Sequence, residues 1–135
     1  MNHLITGAGS GIGAVLARRL LDRGDAVLLL ARSEERAAEL RTAYDGAQVL
    51  VADLARPESV EALARECYAV HGRCHLLFNN AGVGAPSVNV WETTVNDWKW
   101  VHGVNVMGVV HGIQSFVPRM IAGGQPGRIV NTSSG

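Results

Sequence analysis

The segment Gly7-Ala8-Gly9-Ser10-Gly11-Ile12-Gly13 is the first place in this chain where residue types and spacing could do chemistry. Glycines allow backbone angles and approach distances that a Cβ would block. A strand candidate (residues 3–6) precedes the turn and a helix candidate (residues 11–23) follows it. The start of that helix would offer unpaired N–H groups and the positive end of its dipole, which suits a pyrophosphate. A glycine-rich turn alone is a weak signal; between a strand and a helix it points to a nucleotide phosphate. Its spacing, Thr6-Gly7-x-x-x-Gly11-x-Gly13, is TGxxxGxG and not GxGxxG.

Other residues invite chemical readings. Arg32 follows the second strand candidate, 19 residues after Gly13, and no acid occurs there before Glu34. A guanidinium at this place suits a ribose 2′-phosphate, where an acid would bind a 2′-hydroxyl. Asp53 stands just beyond the third strand candidate, at the end of a parallel strand that faces a ligand crevice. Cys67, His71, Cys74 and His75 fall within nine residues, a spacing that could suggest zinc. Cys67, however, lies on the apolar face of a helix candidate and His75 opens a strand. Core and turn roles account for them better than four converging ligands, and no metal is expected. His102 and His111 lie nine residues apart on one helix, do not share a face, and do not read as catalytic.

The elements that must position these residues alternate in type. Residues 26–31 (AVLLLA) form a continuous apolar run, as in a strand buried on both faces. Further strand candidates are residues 49–52, 76–78 and 128–132. The first helix should turn Ile12, Val15, Leu16 and Leu20 inward. Ser33 suits the N-cap of a second helix that has Glu34 and Glu35 in its first turn. Pro57 suits the first position of a third, with Val60, Leu63, Ala64 and Cys67 at helical spacing. Thr94 with Asp97 resembles a capping box that opens a long helix to about Met120, which Pro118 should kink or end. Trp91, Trp98 and Trp100 read by default as packed residues. Strands alternating with helices imply an α/β fold: a doubly wound parallel sheet ordered 3-2-1-4-5 and incomplete at the C-terminus, with residues 1–135 as the N-terminal part of one domain.

Composition narrows the function. Lys plus Arg and Asp plus Glu both total 12, so the formal charge is zero and nucleic acid is not an expected partner. No apolar run approaches the ~20 residues of a bilayer span, so no membrane is expected either. No signal peptide is evident, and two cysteines suit a reduced, cytoplasmic setting.

Five motifs in order resemble the short-chain dehydrogenase/reductase family over essentially the whole chain. They are the TGxxxGxG turn; Asp53; Asn79-Asn80-Ala81-Gly82; Asn105 within Val104-Asn105-Val106; and Arg128-Ile129-Val130-Asn131-Thr132-Ser133-Ser134. The resemblance implies a Rossmann fold and hydride transfer between a nicotinamide cofactor and a small alcohol or carbonyl substrate. It implies that Thr6, Gly7, Gly9, Ser10, Gly11, Ile12, Gly13, Arg32, Ser33, Asp53, Leu54, Asn80, Ala81 and Gly82 bind the cofactor, with Asp53 at the adenine ring. Arg32 favours NADP(H) over NAD(H), although Gly9 stands where many NADP-using relatives carry a basic residue nearby. Ser134 aligns with the catalytic serine that hydrogen-bonds the substrate oxygen, and Asn105 with the asparagine whose helix position holds a water. Full-length relatives form dimers or tetramers, and Trp98 or Trp100 could sit at such an interface.

One departure stands out. The family's Tyr-x-x-x-Lys pair is not present: Gln48 follows Tyr44 by four positions, Gly72 follows Tyr68, and the one lysine is Lys99. The expectation is a chain that ends before that motif, carries the cofactor half of an oxidoreductase, and is itself inactive. The alternative is a non-catalytic dinucleotide-binding remnant. A sugar-nucleotide epimerase ranks third, because its TGxxGxxG spacing does not fit.

Overall fold

The structure is a computed structural model that describes residues 1–134. Its five strands are β1 (Asn2–Ile5), β2 (Ala26–Ala31), β3 (Gln48–Val51), β4 (Leu76–Asn79) and β5 (Arg128–Asn131). All pair in parallel, in the order β3-β2-β1-β4-β5. The crossovers are α1 (Gly11–Asp22), α2 (Glu34–Ala43), α3 (Pro57–His71) and the pair α4 (Val95–His102) and α5 (Gly108–Ala122).

Strand side chains alternate between faces, and each face builds its own core. Val27, Leu29 and Ala31 of β2 join Ala17 and Leu20 of α1 and Ala37 and Leu40 of α2. Leu28 and Leu30 join Leu63, Ala64 and Cys67 of α3 and Phe116 of α5 on the other face. The apolar run of β2 is thus explained by helices on both sides. The caps form where expected: Ser33 Oγ accepts from Arg36 N, Thr94 and Asp97 make a reciprocal capping box, and Pro57 opens α3. The α3 face is as expected too, with Val60, Leu63, Ala64 and Cys67 all buried.

Two expectations fail. The inward face of α1 is Gly13, Ala17 and Leu20, whereas Ile12 and Val15 are 65% and 54% exposed. Leu16 and Leu20 pack on the core as expected, but at the start of the helix the residue turned inward is Gly13, against the turn and the loop beneath. The long helix is continuous from Val95 to Ala122, as expected. Between α4 and α5 lies a π-helical turn, Gly103–Met107, in which Gly108 N–H reaches back five residues to Gly103 O. Pro118 sits inside α5 without ending it; the helix continues to Ala122. The three tryptophans are not packed: Trp91, Trp98 and Trp100 are 79%, 60% and 43% exposed. Among the described residues no helix is long and apolar enough to cross a membrane.

Candidate functional site

In a parallel sheet every strand ends at the same edge. Here β1 leads outward to β2 and β3 on one side, while β4 and β5 lie on the other. The loops after β1 and β4 diverge around that switch point and leave a crevice between them.

The glycine turn closes β1, and its glycines are demanded by contact. Gly7 has φ +69°, and a Cβ there would come 2.8 Å from Ala81 Cα. A Cβ on Gly13 would overlap the Gly7 carbonyl oxygen and lie 2.7 Å from Asn80 Nδ2. Thr6, buried at the end of β1, ties this turn to the loop after β4. Its Oγ1 accepts from both Asn80 N and Ala81 N, each at 2.9 Å. Asn80 Nδ2 donates to Gly7 O (3.2 Å), and Thr132 Oγ1 donates to Asn80 Oδ1 (2.8 Å). Asn79 Nδ2 donates to Asn131 Oδ1 (2.9 Å), so the ends of β1, β4 and β5 are stitched into one surface.

The start of α1 differs from the capped helices α2 and α4. Ser10 occupies the N-cap without a side-chain hydrogen bond to the helix, and its first turn holds no acid. Gly11 has φ +55° with open space where a Cβ would point. The first N–H groups of α1 therefore face outward, uncapped, at the positive end of the helix dipole. A phosphate or pyrophosphate is the group such an end accepts.

At the ends of β2 and β3, Arg32 is exposed, and among the described residues no carboxylate pairs with it. Ser33 beside it is committed as the cap of α2. Asp53 is exposed; its Oδ1 accepts from Ala55 N (2.9 Å) and its N–H donates to Ser59 Oγ (2.8 Å). Leu54 packs at the start of α5, where a Cβ on Gly108 would lie 3.1 Å from Leu54 Cβ. Leu54 O accepts from His111 Nδ1 at 2.8 Å; because a carbonyl only accepts, that nitrogen carries the proton. His111 is thus a buried brace.

Asn105 sits in the middle of the π-helical turn. Its Nδ2 donates to Val83 O (2.9 Å) and its Oδ1 accepts from Val83 N (2.8 Å), so the side chain clamps the segment after Gly82. Ser134 is exposed, three residues past the end of β5 and on the same edge as Asn80. The zinc-like cluster sits elsewhere and its members are otherwise engaged. His71 Nε2 meets Gln48 Oε1 (2.9 Å), and His75 Nδ1 accepts from Asn2 N (2.9 Å). Both cysteines are buried, and hydrogen bonding to Cys67 together with burial pushes the Cys74 thiol up.

Two residues at the turn escaped the sequence reading. Tyr44, at the end of α2, donates from its buried hydroxyl to Ala8 O (2.9 Å). Arg36 Nη2 donates to Gly9 O (3.2 Å). Both contacts cross from α2 to a turn about 30 residues earlier, and no local pattern marks such a pairing.

A family model for short chain dehydrogenases matches residues 2–135. The chain is 36% identical to an NADPH-dependent pterin aldehyde reductase of Arabidopsis thaliana, over 98% of this chain and 55% of the relative. It is 42% identical to a short chain dehydrogenase/reductase from Burkholderia phymatum crystallised with NAD, at a TM-score of 0.88, covering 98% of this chain and 48% of that one. A metagenomic short-chain oxidoreductase crystallised with NADP shares 35% identity at a TM-score of 0.86, covering 99% and 62%. The chain spans about half the length of the curated relatives it matches. With a family model over nearly its whole length and relatives of the same fold, the chain belongs to the short chain dehydrogenase family.

Proposed function

We propose that this chain binds a nicotinamide dinucleotide across the carboxyl edge of its sheet, prefers NADP(H) to NAD(H), and serves an oxidoreductase acting on a small alcohol or carbonyl. The observation that carries the reading is the uncapped, acid-free start of α1 beneath an open Gly11. The crystallised relatives with NAD and with NADP support the cofactor class.

The chain's residues divide the work. Gly9, Ser10, Gly11, Ile12 and Gly13 would hold the pyrophosphate with backbone N–H groups and the α1 dipole. Thr6 and Gly7 shape that turn through Asn80 and Ala81. Asp53 and Leu54 would take the adenine, Arg32 and Ser33 the 2′-phosphate, and Asn80, Ala81 and Gly82 the remainder of the dinucleotide. When bound, the nicotinamide supplies hydride chemistry and the protein supplies its position. Ser134 would donate a hydrogen bond to the substrate oxygen. Asn105 is a positioning residue, since its side chain is spent on Val83. These 135 residues hold no Tyr-x-x-x-Lys pair, so the reading assigns them binding and orientation, not the proton transfer. The exposed indoles of Trp98 and Trp100 on α4 support assembly into dimers or tetramers through that helix.

Replacing Arg32 with Asp tests the cofactor preference. It removes a phosphate partner and presents a carboxylate to a ribose hydroxyl. Charge-assisted hydrogen bonds are worth ~1.5–3 kcal/mol, so NADPH should weaken by about 10- to 150-fold relative to NADH. Titration of both cofactors by reduced-nicotinamide fluorescence measures this. An unchanged affinity ratio refutes the preference, and no binding of either dinucleotide to the unsubstituted protein refutes the site.

A further inference from the structure

Tyr44 closes α2 and is only 5% exposed. Its backbone is fixed on both sides: Tyr44 N donates to Leu40 O (2.9 Å), and Tyr44 O accepts from Ala47 N (3.2 Å). Arg18 of α1 lies over the ring, 5.1 Å from its centroid. The hydroxyl is thereby aimed at one atom, Ala8 O, at 2.9 Å and 36 residues back along the chain. Ala8 is fully buried, and among the described residues no other donor reaches its carbonyl. The next carbonyl of the turn, Gly9 O, accepts from Arg36 Nη2 of the same helix. Two consecutive carbonyls of the glycine turn are therefore drawn toward α2.

A trans peptide is planar, and its C=O and N–H point to opposite sides. Drawing Ala8 O and Gly9 O toward α2 aims the N–H groups of Gly9 and Ser10 away from it. Both residues are exposed, and among the described residues neither N–H has an acceptor. Successive free N–H groups of a turn make a concavity that takes an anion. Given the proposed dinucleotide site, on which this step rests, we infer that Tyr44 is a positioning residue for the pyrophosphate. From a distant element it sets the plane of the Ala8–Gly9 peptide, and so the direction of an N–H that the pyrophosphate meets. Tyr44 itself touches neither the phosphates nor the nicotinamide. It serves NAD(H) and NADP(H) alike, because both carry the same pyrophosphate. Without the hydroxyl, Ala8 O has no donor inside the protein, and the peptide relieves this by turning its carbonyl toward solvent. The Gly9 N–H turns with it, out of the phosphate position.

Tyr44→Phe removes the hydroxyl and keeps the ring beneath Arg18. NADH and NADPH are titrated by fluorescence, ADP and adenosine by competition against NADH. NADH, NADPH and ADP should each weaken about tenfold, the size of one charge-assisted contact, with the NADPH/NADH ratio unchanged. Adenosine has no phosphate to lose and should move less than about twofold. In the unsubstituted protein, inorganic pyrophosphate should shift the amide resonances of Gly9 and Ser10. Resonances that stay in place overturn the assignment even if Tyr44→Phe does not fold. If adenosine weakens as much as ADP, Tyr44 only supports packing around the turn and the inference falls. A loss confined to one of the two dinucleotides also overturns it. If a folded Tyr44→Phe binds NADH, NADPH and ADP as the parent does, the inference falls and the dinucleotide site stands. If the unsubstituted protein binds neither dinucleotide, the site reading falls and this one with it.

Discussion

Replacing Gly13 with Ala sets two physical effects against each other. By helix propensity the change should stabilise α1, since Ala is better than Gly in a helix interior by about 1 kcal/mol. Gly13 has no positive φ to protect, so no backbone strain opposes the substitution. The opposing effect is contact. The new methyl would overlap the Gly7 carbonyl oxygen, 2.9 Å from its carbon and 2.7 Å from Asn80 Nδ2. Neither neighbour can yield freely. Gly7 abuts Ala81, and Asn80 is held by Thr6, by Gly7 O and by Thr132 at once. Relief requires α1 to move away from the turn by about 0.5–1 Å, and overpacking of this kind costs about 1–3 kcal/mol. Allowing for the propensity gain, Gly13→Ala should destabilise by up to about 2 kcal/mol and shift the urea midpoint down by up to roughly 1 M. The same shift pulls the α1 N–H groups off the phosphate position, so dinucleotide affinity should fall at least tenfold. Urea unfolding and cofactor titration on one preparation measure both. A variant that is more stable than the parent and binds as tightly would show that the close packing of turn, helix and asparagine loop does not exist.

Thr6→Val keeps the shape but leaves the N–H groups of Asn80 and Ala81 without their acceptor, and each unsatisfied buried donor costs about 1–3 kcal/mol. Urea unfolding should show a loss of about 2–4 kcal/mol, with faster amide exchange at Asn80 and Ala81; a loss under about 0.5 kcal/mol contradicts the tie. His3 is buried, with Nε2 3.2 Å from Asp25 Oδ2, and desolvation lowers its pKa despite that carboxylate. A histidine with a lowered folded value binds fewer protons when folded, so stability present above its ordinary 6.5 is lost as pH falls toward the folded value. Asp25 adds a second, more acidic loss. Burial pushes its pKa up, but hydrogen bonds from Arg23, the Met1 ammonium and His3 outweigh that and hold it at about 2, so its stabilisation fades between 3.8 and that value. Urea midpoints from about pH 7.5 to 5 should fall less steeply in His3→Gln, with the contribution of His75 retained, and an undiminished slope would clear His3 of the effect.

Much of the fold and part of the site can be read along the chain, because the signals are local. The apolar run of β2 announces a strand covered on both faces, and the glycine turn between β1 and α1 announces a close approach of backbones. Ser33, Thr94 and Pro57 mark helix starts because a cap acts on N–H groups within three residues of itself. The alternation of elements is enough to order the sheet, since parallel strands accept few connections. What remains was decided by parts distant in sequence. Hydrophobic periodicity turned Ile12 and Val15 of α1 inward, but the loop after β4, some 67 residues away, comes so close that only a glycine fits at position 13. The π-helical turn at Asn105 arises where the helix meets Leu54 and Ala55 beyond β3 and where the side chain can clamp Val83. Arg36 on Gly9 and Tyr44 on Ala8 exist only because β2 lies beside β1, which lowers α2 over the turn. Periodicity and capping report which face a residue prefers within its own element. Which residue must be small, and which long side chain crosses to a distant turn, depends on the distance between elements, and that distance exists only once the sheet has assembled.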